Sequence, residues 1–477
     1  MQLPSTTKLA ASLLMALSLL IGSCSIPPPL VERIKASGEL RVVTRNSGTT
    51  LYEGSEGLTG LEYDLVQLFA EELGVKPHFI VPEGFDDLLP TVINGDAHLA
   101  AAGLTVTPER QSIIRFGPAY QEITQQVIYR GGTLRPRKIE DLLDKDLHIL
   151  AGSSHEEELL RLQKEYPVLR WTSHDNLESA ELMQMVEDKS IDFTIADSNE
   201  FAVTRRFMPH IKVGFDLTEP QPLAWAMAHA EDASLYQAME VFFKRIREDG
   251  TLPQLIERHY GHIGRLNFVE LRTFLRHMEN RLPKYRAFFE QAAEMVGMDW
   301  RLLAAIGYQE SHWNPKAKSP TGVRGIMMLT LATAKHMKIE SRLDPQQSIT
   351  GGAKYLQFIK RRLPERIQEP DRLWLTLAGY NVGFGHLEDA RILTEQLGGD
   401  PDKWVEVKKH LPKLSLKKWY KNLKRGYARG KEPVNYVDNI RAYYELLKWQ
   451  LRKIEATRKA ESENDASHVL SITPDAL

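Results

Sequence analysis

Glu310 is the group in this chain best placed to move a proton. It stands near the start of a stretch from Gln309 to Thr330 that also holds Trp313, Asn314, Pro315, Ser319, Thr321, Gly322 and Gly325. Upstream, Asp299 can cap a helix whose apolar positions are Leu302, Leu303 and Ile306. Those positions precede Glu310 at helical spacing, so the carboxyl continues the apolar stripe. A carboxyl on a buried face, beside Trp313, loses water. That penalises the anion and lifts the pKa towards the range of a general acid. Ser319 and Thr321 can hydrogen-bond the carboxyl, and Gly322 and Gly325 let backbone approach a bulky ligand. The segment predicts an acid set on a shaped wall.

Helical periodicity must position it. From Leu271 onward the pattern predicts helices over Leu271–Met278, Tyr285–Val296, Asp299–Ser311, Ala332–Met337, Ile349–Leu363, Leu373–Asn381 and Val437–Arg452. Within that frame three clusters recur in order over about 130 residues. The first is Glu310-Ser311, Asn314-Pro315, Ala317, Ser319, Gly322, Gly325 and Ile326-Met327. The second is Ala378, Tyr380-Asn381, Gly383 and Gly385, and the third is Asn435-Tyr436-Val437. Together they resemble the soluble lytic transglycosylase family. The resemblance implies a mainly α, lysozyme-like domain over residues 271–455 with Glu310 as its catalytic residue. It further implies that Ser319 holds Glu310, that Asn381 orients the substrate's N-acetyl carbonyl, and that Tyr380 and Tyr436 meet the sugar ring. Core packing for Tyr380 and a helix cap for Ser319 are the plainer roles. Met328 departs from the family, which mostly has Gln there.

Glycosidases normally use two carboxylates. The clusters offer one, because Asp299 lies at the far end of its helix and Glu432 on the flank of the third cluster. One acid suffices where the substrate supplies its own nucleophiles, as the family's does. In peptidoglycan the N-acetyl group of MurNAc stabilises charge at C1 and the C6 hydroxyl attacks, leaving a 1,6-anhydro-MurNAc end. Two other readings are a lysozyme-type hydrolase, which needs a second acid or a held water, and a wall-anchored solute-binding receptor.

At 477 residues the chain is too long for one domain. Strands expected at Leu40–Thr44, Val75–Val81 and Leu99–Ala102 alternate with helices at Tyr63–Leu73 and Leu88–Asn94, which predicts an α/β domain with largely parallel sheets. The run Gly103 to Arg110, then Phe116 to Tyr120, Glu248 to Leu252 and Arg258 to Gly261, resembles the periplasmic amino-acid-binding proteins of solute-binding family 3 over residues 38–262. The resemblance implies two lobes, with crossings near Thr124–Tyr129 and Gln221–Ala228. In the cleft Arg110 would clamp a ligand carboxylate, Asp197 would face an ammonium, and Thr105 and Ser154 would donate hydroxyls. A surface ion pair for Arg110 and a structural cap for Asp197 are the alternatives. Ala102-Gly103 replace a Ser or Thr contact, which argues for a ligand larger than a free amino acid. Peptides released from the wall carry both groups.

The formal net charge is −2, but residues 271–450 hold 32 Lys and Arg against 19 Asp and Glu, 32 − 19 = +13, which leaves −15 elsewhere. A basic half suits a polyanionic partner. An export signal argues against nucleic acid. Lys8, the apolar run Leu9–Ile21 and then Gly22-Ser23-Cys24 read as a signal peptide over residues 1–24, too short to span a bilayer comfortably. Ile21 to Cys24 resembles a bacterial lipoprotein box. Cys24 is the single Cys, which excludes an intramolecular disulfide and makes lipidation its economical use. Ser25 after it resembles outer-membrane sorting. Residues 25–37 read as a tether opened by Pro27-Pro28-Pro29, 263–270 as a linker, and 456–477 as a polar, disordered tail. His386 and His410 lack partners at ligand spacing, so no metal and no cofactor are expected.

Overall fold

The computed structural model describes residues 27–54, 57–205, 207–261, 268–319 and 322–470. The signal peptide with Cys24, most of the 263–270 linker and Thr321 lie outside the described residues.

Helix α1 (Leu30–Ser37) occupies most of the segment where a tether was expected. Its two inward residues, Val31 and Ile34, join the first lobe's core, and Val31 N–H donates to Ser234 Oγ at 3.2 Å. Packing, absent from a local reading, decides this segment.

Strands β1 (Glu39–Val43), β2 (Lys76–Ile80), β3 (Leu99–Ala100), β4 (Ile114–Phe116), β5 (Gln121–Ile123), β6 (Gln125–Arg130), β7 (Leu147–Leu150), β8 (Thr172–His174), β9 (Phe193–Asp197), β10 (Ile211–Asp216), β11 (Gln221–Leu223) and β12 (Ala226–Ala228) build two sheets and a small hinge ribbon. The first-lobe order is β2-β1-β3-β12-β4, and the second-lobe order is β8-β7-β9-β6-β10. The chain crosses at Thr124, at the start of the first expected stretch, and again between Asp216 and Gln221, just ahead of the second. The sheets are mixed rather than largely parallel. Both arriving strands explain why: β6 runs antiparallel to β9 and β10, and β12 antiparallel to β3 and β4, while the other pairs in both sheets are parallel. A strand entering from the opposite lobe comes in from the other end. Each lobe keeps its own apolar core.

Helix α2 (Leu61–Leu73) packs on the first sheet, α3 (Ser154–Gln163) edges the cleft in the second lobe, and α4 (Thr251–Tyr260) closes the domain. The described part of the second domain is mainly helical: α5 (Phe268–Asn280), α6 (Arg286–Val296), α7 (Trp300–Ser311), α8 (Pro345–Arg362), α9 (Asp371–Val382), α10 (Phe384–Gln396), α11 (Trp404–His410) and α12 (Lys431–Leu470). One continuous apolar core runs from Leu271 to Leu447. Helix α12 continues to Leu470, well past the expected tail boundary. Ala, Glu, Lys and Arg dominate its far half and nothing there breaks a helix. Helix α10 and helix α11 escaped the periodicity reading.

The domains touch directly. Glu257 on α4 is buried against Arg441 on α12, Nη1 to Oε1 at 2.9 Å, and receives Lys408 Nζ from α11. Arg441 also donates to the Glu257 and Arg258 carbonyls and lies 3.9 Å over the Trp374 ring. Phe207 of the second lobe stacks on Trp449 at 4.6 Å. No described helix is long and apolar enough to cross a membrane.

Candidate active site and ligand cleft

Three helix ends converge on Glu310. The carboxyl ends α7, Tyr380 and Asn381 end α9, and Tyr436 opens α12; both α7 and α9 pack on α12. Asp299 caps α7 as expected, accepting from Arg301 N–H at 2.8 Å, and Leu302, Leu303 and Ile306 are buried. The stripe therefore sets Glu310 half-buried at the mouth of the core. Tyr436 O–H donates to Glu310 Oε1 at 2.6 Å. Burial lifts the Glu310 pKa to about 7, against the Tyr436 hydrogen bond, which lowers it. Tyr380 stacks on Tyr436 at 6.4 Å and donates to the Met327 carbonyl at 3.0 Å.

That carbonyl belongs to the wall. Ser311 Oγ donates to Ile326 O at 2.8 Å, and Ser348 Oγ accepts from Met327 N–H at 3.3 Å. Gly325 has φ +86°, and a Cβ there would stand 1.8 Å from the Arg342 carbonyl, so only glycine fits this turn. His312, Trp313 and Met328 also hold positive φ. Three non-glycine residues with positive φ in the stretch that follows Glu310 mark a segment fixed by its surroundings. Trp313 does so from the core side: its indole donates to Ala304 O at 2.8 Å and its ring packs on Tyr308 and Phe274. The aromatic group in hydrogen-bond contact with the carboxyl is Tyr436.

Ser319 lies on the facing loop, where its Oγ accepts from Val323 N–H at 3.3 Å. Asn381 is exposed at the end of α9. Neither other acid serves this site. Asp299 is held by Arg301 and by Tyr444 O–H at 2.7 Å, and Glu432 pairs with exposed Arg429 at 3.2 Å. His410 meets Lys413 Nζ at 2.8 Å, and among the described residues no group of three or more His, Cys, Asp or Glu could hold a metal. The arrangement can hand over a proton near neutral pH and take it back.

In the first domain Arg110 and Asp197 face the cleft from opposite lobes, and both already have partners. Arg110 Nε meets Glu157 Oε1 at 2.7 Å, and Asp197 Oδ1 meets His155 Nε2 at 3.0 Å. Thr105 is buried, with its carbonyl 3.5 Å from Arg110 Nη1, and Ser154 is buried in the first turn of α3, while Ser153 caps that helix. Gly103 N–H donates to Glu62 Oε2 at 2.8 Å, so this altered contact is tied to the first lobe.

Residues 287–400 match the Transglycosylase SLT domain, and residues 40–262 match the bacterial extracellular solute-binding proteins, family 3. A protein of Saccharophagus degradans named membrane-bound lytic murein transglycosylase F is 47% identical over 94% of this chain and 89% of its own length. Namesakes from Stutzerimonas stutzeri (48%, over 93% and 92%) and Ectopseudomonas mendocina (49%, over 91% and 90%) agree. The chain belongs to the membrane-bound lytic murein transglycosylase F family. Among solved structures, an ancestral amino acid-binding protein, a precursor of cyclohexadienyl dehydratase, aligns at 25% identity and TM-score 0.44, over 48% of this chain and 99% of its own. An ancestral arginine-binding protein bound to arginine gives 23% and 0.43, over 47% and 98%.

Within this family member, sequence reasoning missed Glu157, His155 and Glu257. Each pairs with a group far along the chain, so no local spacing marks it. A charge inside an otherwise apolar helical stripe, such as Glu257 between Leu255 and Tyr260, was the one available signal.

Proposed function

We propose that this chain is a peptidoglycan lytic transglycosylase in which Glu310 is the only acid–base group. The observation that carries the reading is a half-buried carboxyl with pKa about 7, hydrogen-bonded by Tyr436 and apart from the other acids of its domain's motifs. Glu310 gives its proton to the glycosidic oxygen as the bond from MurNAc C1 breaks. The N-acetyl carbonyl shields the charge at C1, and Asn381 orients it. The carboxylate then takes the C6 hydroxyl proton while the C6 oxygen bonds to C1, so Glu310 ends protonated and no water is consumed. Tyr380 and Tyr436 support the sugar ring, and Ser319 shapes the wall opposite. Of the basic residues between Lys408 and Lys431, Lys408 is committed to the domain interface, Lys409 pairs with Glu406 and Arg429 with Glu432, which leaves exposed Lys417, Lys421 and Lys424 for the acidic peptide stems. Release of soluble fragments from purified sacculi by the intact chain tests the reading; sacculi left intact by a folded preparation contradict it.

Tyr436→Phe separates the hydroxyl from the ring. Losing a donor that favours the carboxylate raises the Glu310 pKa beyond about 7, so the alkaline fall in rate moves to higher pH. A pH–rate profile checks this, and an unmoved limb contradicts it.

Membrane association follows the relatives' name. We assign it to lipidation at Cys24 on the outer membrane's periplasmic face. Cys24→Ala should leave the protein soluble or as an uncleaved precursor, read by fractionation; an unchanged membrane pool places the anchor elsewhere.

For the first domain the supported ligand is a wall-derived peptide, whose carboxylate and ammonium suit Arg110 and Asp197. Coupling to the active site requires the ligand to prefer the active arrangement by about 1–3 kcal/mol. Calorimetry with stem peptides on the intact chain and on Arg110→Ala tests it. Equal heats from both, or none, make this domain a spacer.

A further inference from the structure

The two groups expected to grip an amino acid are occupied by the chain itself. Arg110 is 3% exposed, and the Glu157 carboxylate from the other lobe binds it as a ligand carboxylate would. One Glu157 oxygen meets Arg110 Nε, and the other accepts from Thr107 Oγ1 at 2.7 Å. Arg110 Nη2 completes the crossing by donating to Gly152 O at 3.1 Å. On the second lobe His155 Nε2 sits against Asp197, where a ligand ammonium would donate, and the buried His155 Nδ1 has no hydrogen-bond partner among the described residues. A third element lies beside Arg110, near the same Phe85 ring. The Arg45 guanidinium lies 5.2 Å over the Phe85 ring and reaches across to Glu178 at 3.3 Å and to Glu200. Carboxylate, nitrogen and cationic side chain together reproduce the chemistry of a cationic amino acid, built from Glu157, His155 and Arg45.

We infer that Glu157 is an internal surrogate ligand that latches the two lobes shut and sets the cleft's specificity by excluding free amino acids. A small ligand offers Arg110 nothing that Glu157 does not already supply, so the exchange has no driving force beyond the ligand's remaining contacts. A longer carboxylate-bearing peptide can add contacts along the cleft and displace it. Glu157 is itself 25% exposed, so a competing carboxylate can reach it and water can receive it. The inference rests on the cleft being a ligand site, yet its test needs neither wall peptides nor transglycosylase activity.

The test is calorimetry on the intact chain with L-alanine, L-glutamine and L-arginine as probes, paired with small-angle scattering. Wild type is expected to give no binding heat at millimolar probe. Glu157→Ala, which removes the carboxylate at a partly exposed position, is expected to bind at least one probe at least tenfold more tightly than wild type. Its scattering should show an expanded first domain that contracts when the probe is added. Arg110→Ala in the Glu157→Ala background should abolish the gain. Glu157→Gln keeps the shape without the charge and should fall between the two. Wild type binding a probe as tightly as Glu157→Ala overturns the inference, and so does a folded Glu157→Ala that binds none of them.

Discussion

Glu310→Gln should lose at least about 100-fold of its activity on sacculi, the lower edge of general acid catalysis. Glutamine keeps the shape and can still accept from Tyr436, so circular dichroism should not change. Stability gives the change a second signature. The folded-state pKa of about 7 lies above the ordinary value of 4.5. This acid therefore contributes stability while protonated, fully present below the unfolded pKa and lost as pH rises through about 7. Glutamine carries no charge to desolvate. The variant should melt at a higher temperature than wild type at pH 8 and at the same temperature near pH 4. Thermal melts at the two pH values check the sign, and a variant less stable at pH 8 contradicts the buried-acid account.

The second large effect lies at the domain contact. Glu257→Ala leaves Arg441 buried without its carboxylate, and breaking such a pair from one side costs about 3–5 kcal/mol. Arg441 sits five positions after Tyr436 on α12, so the lesion should also depress the rate on sacculi. Replacing both partners, Glu257→Gln with Arg441→Met, removes the stranded charge and should recover most of the stability. Denaturant melts of the three proteins decide it. A single variant as stable as wild type shows that the pair does not hold the domains together.

Much of the active site was legible because its signals are local. The spacing of Leu302, Leu303 and Ile306 placed Glu310 on the edge of a core, and Asp299 announced the start of its helix. Tyr436 as the partner of that carboxyl was beyond periodicity, since it stands 126 residues away and is brought in only by packing of α7 on α12. Helix α10 hid for a different reason. Its inward face carries Asp389, Arg391 and Thr394, all buried. Asp389 accepts from Arg425 N–H, and Arg391 pairs with Asp402 and Glu388, so polar residues occupy positions that an apolar stripe would mark. The first domain's α/β build followed from alternating strands and helices and its two lobes from the family resemblance, but its closed cleft followed from neither. Arg110 and Glu157 are 47 residues apart and meet only when the lobes do.

The chemistry of the cut ends bears most directly on the account. Purified peptidoglycan digested by the intact chain in oxygen-18-labelled water should yield MurNAc ends of the 1,6-anhydro form, lighter than the hydrolysed ends by one water and free of label. Reducing MurNAc ends carrying the heavy oxygen would contradict it, for they require a water held opposite Glu310 and make the protein a hydrolase.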